Sequence, residues 1–276
     1  MKLKIIICFL LTSLLNAQTV FFSGNLPPDS YQSMDLDRSI QNIYYKLNFV
    51  KNRDKAETKT EAICLLQVGK LKSKFCDLNL IKSDSLSEQY AKKESVSGKE
   101  MNELLKYRPN WKNVYIKDLE NKRNIVQDKA EAIYQYEEKQ PLFNWSIKNE
   151  KKSIIGYICL KAETKYKGRS FVAWYALDIP INNGPYSFEG LPGLILELYD
   201  EENNFHFNAI AIDTKIQDIY IRNDDSIYKT TKNKFMSHSK DYHDNPGYYM
   251  GGSYDSSGNL IQTKSKPRPY NPIELE

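Results

Sequence analysis

Residues 184–193, Gly-Pro-Tyr-Ser-Phe-Glu-Gly-Leu-Pro-Gly, lead directly into Leu194-Ile195-Leu196-Glu197-Leu198-Tyr199. Three glycines and two prolines in ten residues rule out a helix here, so the chain must turn and then enter an apolar run. Proline holds φ at about −65°, and Leu191-Pro192-Gly193 therefore suits a type II turn with Gly193 at positive φ. Gly190 offers no side chain, so another group can approach its backbone closely. Beyond the corner, Leu194, Leu196 and Leu198 alternate with Ile195, Glu197 and Tyr199, the period of a strand. The corner sets the register of that strand, and a one-residue slip would exchange its faces. Two readings are open for Gly190 to Ile195: a structural corner, or a loop facing a ligand. Glu189 is the only carboxylate between Pro185 and Ile195, and the glycine spacing matches no phosphate loop, which favours the structural reading.

Alternation recurs along the chain. Ile43, Tyr45, Leu47 and Phe49 mark one strand, and 62–68 and 71–78 mark two more. Short strands follow at 113–118, 123–128, 131–138, 143–148, 154–166 and 169–178, and then at 194–199 and 205–212. Twenty tyrosines and eleven phenylalanines suit half-buried pleated surfaces. Ser97, followed three residues later by Glu100, is a capping box for a helix ending near Tyr107, because Arg108 precedes a proline. A second helix is expected over 226–241, while 82–100 reads as a loop with some helix. The expected fold is mainly β (α+β): one large curved antiparallel sheet or half-open barrel with one or two short helices. Residues 18–276 read as a single domain, with an irregular lead-in over 18–38 and a Gly/Pro-rich tail over 245–276.

The first 17 residues carry Lys2 and Lys4, an apolar run from Ile5 to Leu15 and a small residue, Ala17, the layout of a secretory signal peptide. The run is too short to span a bilayer, which takes about 20 residues, and no later segment implies a transmembrane span. Export to the periplasm, the outer membrane or the exterior is expected. Without Lys2 and Lys4 the net charge is about +2 with both signs interspersed, which disfavours nucleic acid as a partner. Three cysteines remain, Cys64, Cys76 and Cys159. A hairpin centred on Val68-Gly69-Lys70 would set Cys64 opposite Cys76, as a disulfide or as two reduced thiols.

The corner's "GLPGLI", residues 190–195, resembles the namesake motif of the GLPGLI family, secreted proteins found mainly in Bacteroidetes. Lys161-Ala162, Gly168-Arg169, Ala173-Trp174-Tyr175, Asp178-Ile179-Pro180 and Gly184-Pro185 fall in the order that the resemblance implies, and Asn271-Pro272-Ile273-Glu274 resembles the family's C-terminal pattern. Ala176-Leu177 departs from it slightly. The resemblance implies no established activity, so Arg169, Trp174 and Tyr175 join Gly190, Leu191, Pro192, Gly193, Leu194 and Ile195 as motif residues without a chemical role.

No catalytic residue, metal ligand set or cofactor motif is assigned. His206, His238 and His243 are too scattered for a zinc site, no Gly-x-Ser-x-Gly elbow exists, and Cys159 lies in an apolar run. Arg169 reads as a solvated strand-end residue; turned inward, it would need an acid such as Asp178 or Glu197. The preferred function is a non-catalytic binding module holding an apolar small molecule or partner segment on an aromatic face built from Tyr134, Tyr136, Phe143, Trp145, Phe171, Trp174 and Tyr175. The alternative is a structural or interaction protein docking on an envelope partner through a sheet edge or the tail tyrosines Tyr248, Tyr249 and Tyr254. A hydrolase is the third reading.

Overall fold

A computed structural model describes residues 24–249 and 265–276, and the backbone of 253–254 and 260–261. The expected signal peptide lies outside the described residues, as does the side chain of Tyr254. The strands are β1 (Asn25–Leu26), β2 (Ser33–Arg38), β3 (Gln41–Val50), β4 (Lys59–Val68), β5 (Lys72–Asp77), β6 (Val96–Ser97), β7 (Val114–Asp118), β8 (Arg123–Lys129) and β9 (Ile133–Lys139). They continue as β10 (Ser146–Ile154), β11 (Tyr157–Tyr166), β12 (Arg169–Ala176), β13 (Leu194–Asp200), β14 (Phe205–Asp213), β15 (Asp218–Arg222), β16 (Ile227–Lys229), β17 (Ser253–Tyr254) and β18 (Leu260–Ile261). The helices are α1 (Leu78–Tyr90), α2 (Gly98–Lys106) and α3 (Lys232–Asp244).

Twelve strands form one sheet in the order β10-β11-β12-β13-β14-β3-β4-β5-β7-β8-β9-β16, not closed into a barrel. Two antiparallel meanders, β3 to β9 and β10 to β14, fuse where β14 pairs with β3, so the chain enters the sheet at its middle. All pairs are antiparallel except β16 with β9, which makes the sheet mixed at that edge. Residues 33–38, expected to be irregular, instead pair with β15 as a separate ribbon. The expected strand over 154–166 is a hairpin, because Ile155 and Gly156 adopt φ of 44° and 87° and turn the chain between β10 and β11.

The capping box holds. The Ser97 side chain accepts from Glu100 N, and Glu100 Oε2 accepts from Ser97 N at 2.9 Å. Helix α1 begins within the stretch expected to be strand. Asp77 caps it by accepting from Asn79 N at 2.8 Å, and its largely polar sequence shows no apolar stripe to announce a helix. Helix α3 starts at Lys232, later than expected, since 227–229 is strand β16.

One face of the sheet buries a single apolar cluster. It runs from Ile43, Tyr45 and Leu47 through Phe75, Tyr115 and Tyr136 to Phe171, Tyr175, Leu196 and Phe207. The segment 177–193 fills this face, carrying Tyr186, Phe188 and Leu191 into it with at most 3 % exposure. Phe188 lies 4.6 Å from the Phe171 ring and 4.9 Å from Phe143, and Tyr186 lies 4.4 Å from Tyr115. The other face carries a smaller cluster, Cys76, Val114, Ile116 and Ile221, with Leu36 from β2 and Leu80 and Ile81 from α1 packed against it.

The expected pairing of Cys64 with Cys76 is corrected by register. Cys64 pairs with Asp77 and Cys76 with Leu65, one residue away from the symmetric hairpin. That single step puts Cys64 in the main cluster and Cys76 in the smaller one, on opposite faces. Cys64, Cys76 and Cys159 are all free and buried.

Candidate functional site

The filled face is held by buried polar anchors. Lys117, 1 % exposed, donates from Nζ to Asn183 Oδ1 (2.8 Å), Gly184 O (3.1 Å) and Phe188 O (2.8 Å), clamping the incoming segment from β7. Burial pushes this amine down to about 8, so it still carries a proton at neutral pH and three oxygens accept its three N–H bonds. Tyr45 donates to Ile195 O at 2.6 Å across the cluster.

Arg169 is likewise buried, at 5 % exposure, which corrects the expectation of a solvated strand end. Its acid partners are Asp200 at the end of β13 (3.1 Å) and Glu202 beyond it (3.7 Å), neither Asp178 nor Glu197. The remaining N–H groups donate to Asn271 Oδ1 (2.6 Å), Pro272 O (2.9 Å) and Ile273 O (3.1 Å). Two motifs a hundred residues apart therefore lock together. Glu274 extends the lock, accepting from the Tyr166 and Tyr186 hydroxyls at 3.0 Å each and pairing with Lys232 on α3. The end of the tail is thus part of the core.

Between the sheet, α3 and residues 268–274 lies an end cavity of about 390 Å³. Its apolar wall is Phe49, Trp111, Tyr136, Tyr186, Phe205 and Phe235, gathered from six separate segments. Trp111 meets Phe49, Tyr186 and Phe205 edge-on, and its backbone N–H donates to Asp77 Oδ2 at 3.1 Å, so the residue that caps α1 also positions the indole. The Trp111 side chain is 6 % exposed, yet its Nε1–H has no acceptor among the described residues. A buried donor left unmatched is costly, so its burial must be offset by the packing of the ring.

The cavity's rim is cationic. Lys51, Lys112, Lys129 and Arg268 line it, and among the described residues none has a carboxylate partner in ion-pair contact. Arg268 stacks over the Tyr242 ring at 4.8 Å and donates to its hydroxyl. Partial desolvation at the rim, with repulsion from Arg108 and Arg268, pushes the Lys112 ammonium below its ordinary value even though Asp128 pulls the other way. Asp128 lines the same cavity; burial raises it to about 6, although Asn113 Nδ2 donates to it at 2.5 Å. His243 bonds through Nδ1 to Ser239 O at 2.7 Å, and burial holds its pKa below the usual value.

Neither the corner residues Gly190 to Ile195 nor Arg169, Trp174 and Tyr175 line this cavity, whereas Asn271, Pro272, Ile273 and Glu274 do. Leu191, Leu194, Ile195 and Tyr175 are core, and Gly190 and Pro192 are exposed at the corner. Gly193 is not at positive φ, which corrects the expected type II turn; the left-handed residue of the corner is Gly190, at φ 94°. Of the expected aromatic face, Tyr136, Phe171 and Tyr175 are buried in the filled cluster, and Tyr134, Phe143, Trp145 and Trp174 pack against it half-buried. Trp174 pairs across the strands with Glu197, and Lys152 Nζ lies 4.5 Å from its ring. The histidines stay apart: His206 contacts Glu197, and His238 contacts Glu131. No group of three or more metal-ligating side chains occurs among the described residues, and none of their helices is long and apolar enough to cross a membrane. Apart from Tyr136, the residues of the apolar wall escaped sequence reading because they come from separate elements. The one local hint is two short runs that mix basic residues, proline and an aromatic, Arg108-Pro109-Asn110-Trp111-Lys112 and Lys266-Pro267-Arg268-Pro269-Tyr270.

A family model described as "Protein of unknown function (Porph_ging)" matches residues 163–197, a segment spanning the end of β11, β12, the corner and half of β13. No curated protein matches. Among solved structures, PNGF-II in space group P21 is similar at 14 % identity and a TM-score of 0.47, covering 73 % of this chain and 33 % of that one. The C2 crystal form gives 14 % and 0.46, covering 73 % and 32 %. The chain spans about a third of the length of those structures.

Proposed function

We propose that this chain is an exported, non-catalytic binding module of GLPGLI type that takes an anionic ligand with an apolar or aromatic body into the end cavity. The sheet's inner face is occupied by the chain's own residues 177–193, so a ligand sheltered there is disfavoured. The observation that supports the reading is the union of an aromatic wall and cations without carboxylate partners around one 390 Å³ space. Ligand pockets combine a mostly apolar lining with a few convergent polar groups in this way. An anionic group would meet the cations of the rim while the body of the ligand packs on the aromatic wall.

Two environment-sensitive probes with the same naphthylamine body test this: anionic anilinonaphthalene sulfonate and neutral phenylnaphthylamine. Saturable binding of both is expected, tighter for the anion. Charge reversal by Lys112→Glu with Arg268→Glu should weaken the anionic probe about tenfold or more, roughly 1.4 kcal/mol, and leave the neutral one nearly unchanged. Near-ultraviolet circular dichroism serves as the check on native packing. Absence of saturation by both probes would reject the cavity, and insensitivity of the anionic probe to charge reversal would reject its anion preference.

The pH dependence has a definite sign. As pH falls through about 6, Asp128 takes up a proton, which leaves Glu274, paired with Lys232, as the other carboxylate of the lining. His243, whose pKa burial holds below its usual value, also gains positive charge on acidification. Both changes favour an anion, so affinity for the sulfonate should rise on acidification. Asp128→Asn should give the tighter binding already at neutral pH and flatten the step near 6. A profile that rises with pH instead would contradict this assignment.

A further inference from the structure

The smaller cluster on the opposite face encloses an uncommitted cation. Lys74, on β5, is 1 % exposed and lies among Cys76, Val114, Ile116 and Ile221. Its ammonium sits 3.5 Å from the centroid of the Tyr220 ring. Among the described residues it has neither a hydrogen-bond acceptor nor a carboxylate in ion-pair contact. The side chain borders a cavity of about 140 Å³, walled by α1, the start of β7 and β15, which shares only Lys112 and Lys129 with the lining of the end cavity.

We propose that this second cavity is a binding site for a small oxyanion of the size of phosphate, sulfate or acetate, with Lys74 as its central ligand. The proposal is independent of the end-cavity reading. Buried ammonium groups are strongly disfavoured unless paired, so this one calls for an anion. The other charged groups of the wall are Lys112, Lys129, Arg222 and Asp84, a lining with more positive than negative charge. Asp84 accepts from the Tyr220 hydroxyl at 3.1 Å and attracts Lys74 from a distance beyond ion-pair contact, and Arg222 is engaged by Asp224 at 2.7 Å. The neutral donors are also committed. Ser83 donates to Leu80 O at 3.2 Å, and Gln127 Nε2 donates to Gln135 Oε1 (2.9 Å) and to Arg222 O (2.7 Å). Lys74 is therefore the deeply buried donor left without a partner, with Lys112 and Lys129 at the opening. The volume holds several water molecules or one tetrahedral oxyanion, and is too small for a nucleotide or a lipid.

The test is binding of inorganic phosphate, with sulfate and acetate as parallel arms at constant chloride-balanced ionic strength. It is read by calorimetry and by melting temperature. Saturable binding near one per chain is expected, with a rise in melting temperature. Lys74→Met should weaken it at least tenfold. Lys51→Ala, at a position that borders only the end cavity, should leave it unchanged. Methionine suits the apolar surroundings, so Lys74→Met should melt no lower than the native chain in anion-free buffer; Lys74→Gln serves if that variant does not fold. The proposal is overturned if none of the three anions saturates, if the Lys74 variants bind as well as the native chain, or if Lys51→Ala alone abolishes binding.

Discussion

Replacing Gly193 with alanine should destabilise the fold by about 3 kcal/mol or more, the largest effect of any substitution in the corner. A β-carbon at this position would lie 2.1 Å from Ala176 O, 2.7 Å from Ala176 C and 3.1 Å from Leu177 N. All three atoms are backbone, and the segment cannot retreat: Leu194 pairs with Ala176, and Leu194 N donates to Ile179 O at 3.0 Å. The glycine is required by close approach, not by a left-handed conformation. Gly190→Ala is expected to cost less, about 1–2 kcal/mol, since it places a side chain at φ 94° but meets only Trp145 Nε1 at 3.3 Å. Pro192→Ala should cost under about 1 kcal/mol, because the ring is exposed and acts mainly on the unfolded chain. Denaturant midpoints of the three variants give the ranking. A Gly193→Ala protein within about 1 kcal/mol of the native chain would show that the corner does not pack as described.

The second large effect is expected at Arg169. Its replacement by methionine should cost about 3–5 kcal/mol, because it leaves the carboxylate of Asp200, 1 % exposed, without its charged partner. Part of that burden is relieved, since Asp200 also accepts from Phe205 N at 2.6 Å and Asn204 Nδ2 at 3.2 Å. The more specific consequence is at the C-terminus. Asn271, Pro272 and Ile273 each give Arg169 one oxygen, so their loss of anchoring should appear as faster hydrogen exchange and proteolysis over 265–276. Arg169→Lys should not restore protection, because a single ammonium cannot span the same fork of acceptors. If exchange over 265–276 is unchanged in Arg169→Met, the guanidinium is not what holds the tail. The same lock bears on the idea that the tail tyrosines dock on a partner: removing residues 246–276 would strip Glu274 from Tyr166, Tyr186 and Lys232, so a deletion there disturbs the core as well as the surface.

What could be read from the chain and what could not divide along the range of the interactions concerned. The alternation of Ile43, Tyr45, Leu47 and Phe49, the capping box of Ser97 and Glu100, and the glycine–proline entry to Leu194 are local. They follow from side-chain periodicity and backbone sterics over a few residues, and they were enough to establish a mainly β chain with large sheet content. The one-residue register that parts Cys64 from Cys76 depends on how the turn at 69–72 is held, and Asp37 from a distant strand accepts from Leu71 N and Lys72 N there. The order of the sheet, with β14 against β3, rests on pairing across more than 150 residues. The meeting of Arg169 with Asn271, and of Trp111 with Phe205 and Phe235 around one cavity, likewise has no periodic signature, because those contacts are made through space after the sheet has wrapped. Periodicity and backbone sterics thus set which segments are strands, while only the closed packing of those strands decided which side chains share a face, which charges are neutralised and where an open space remains.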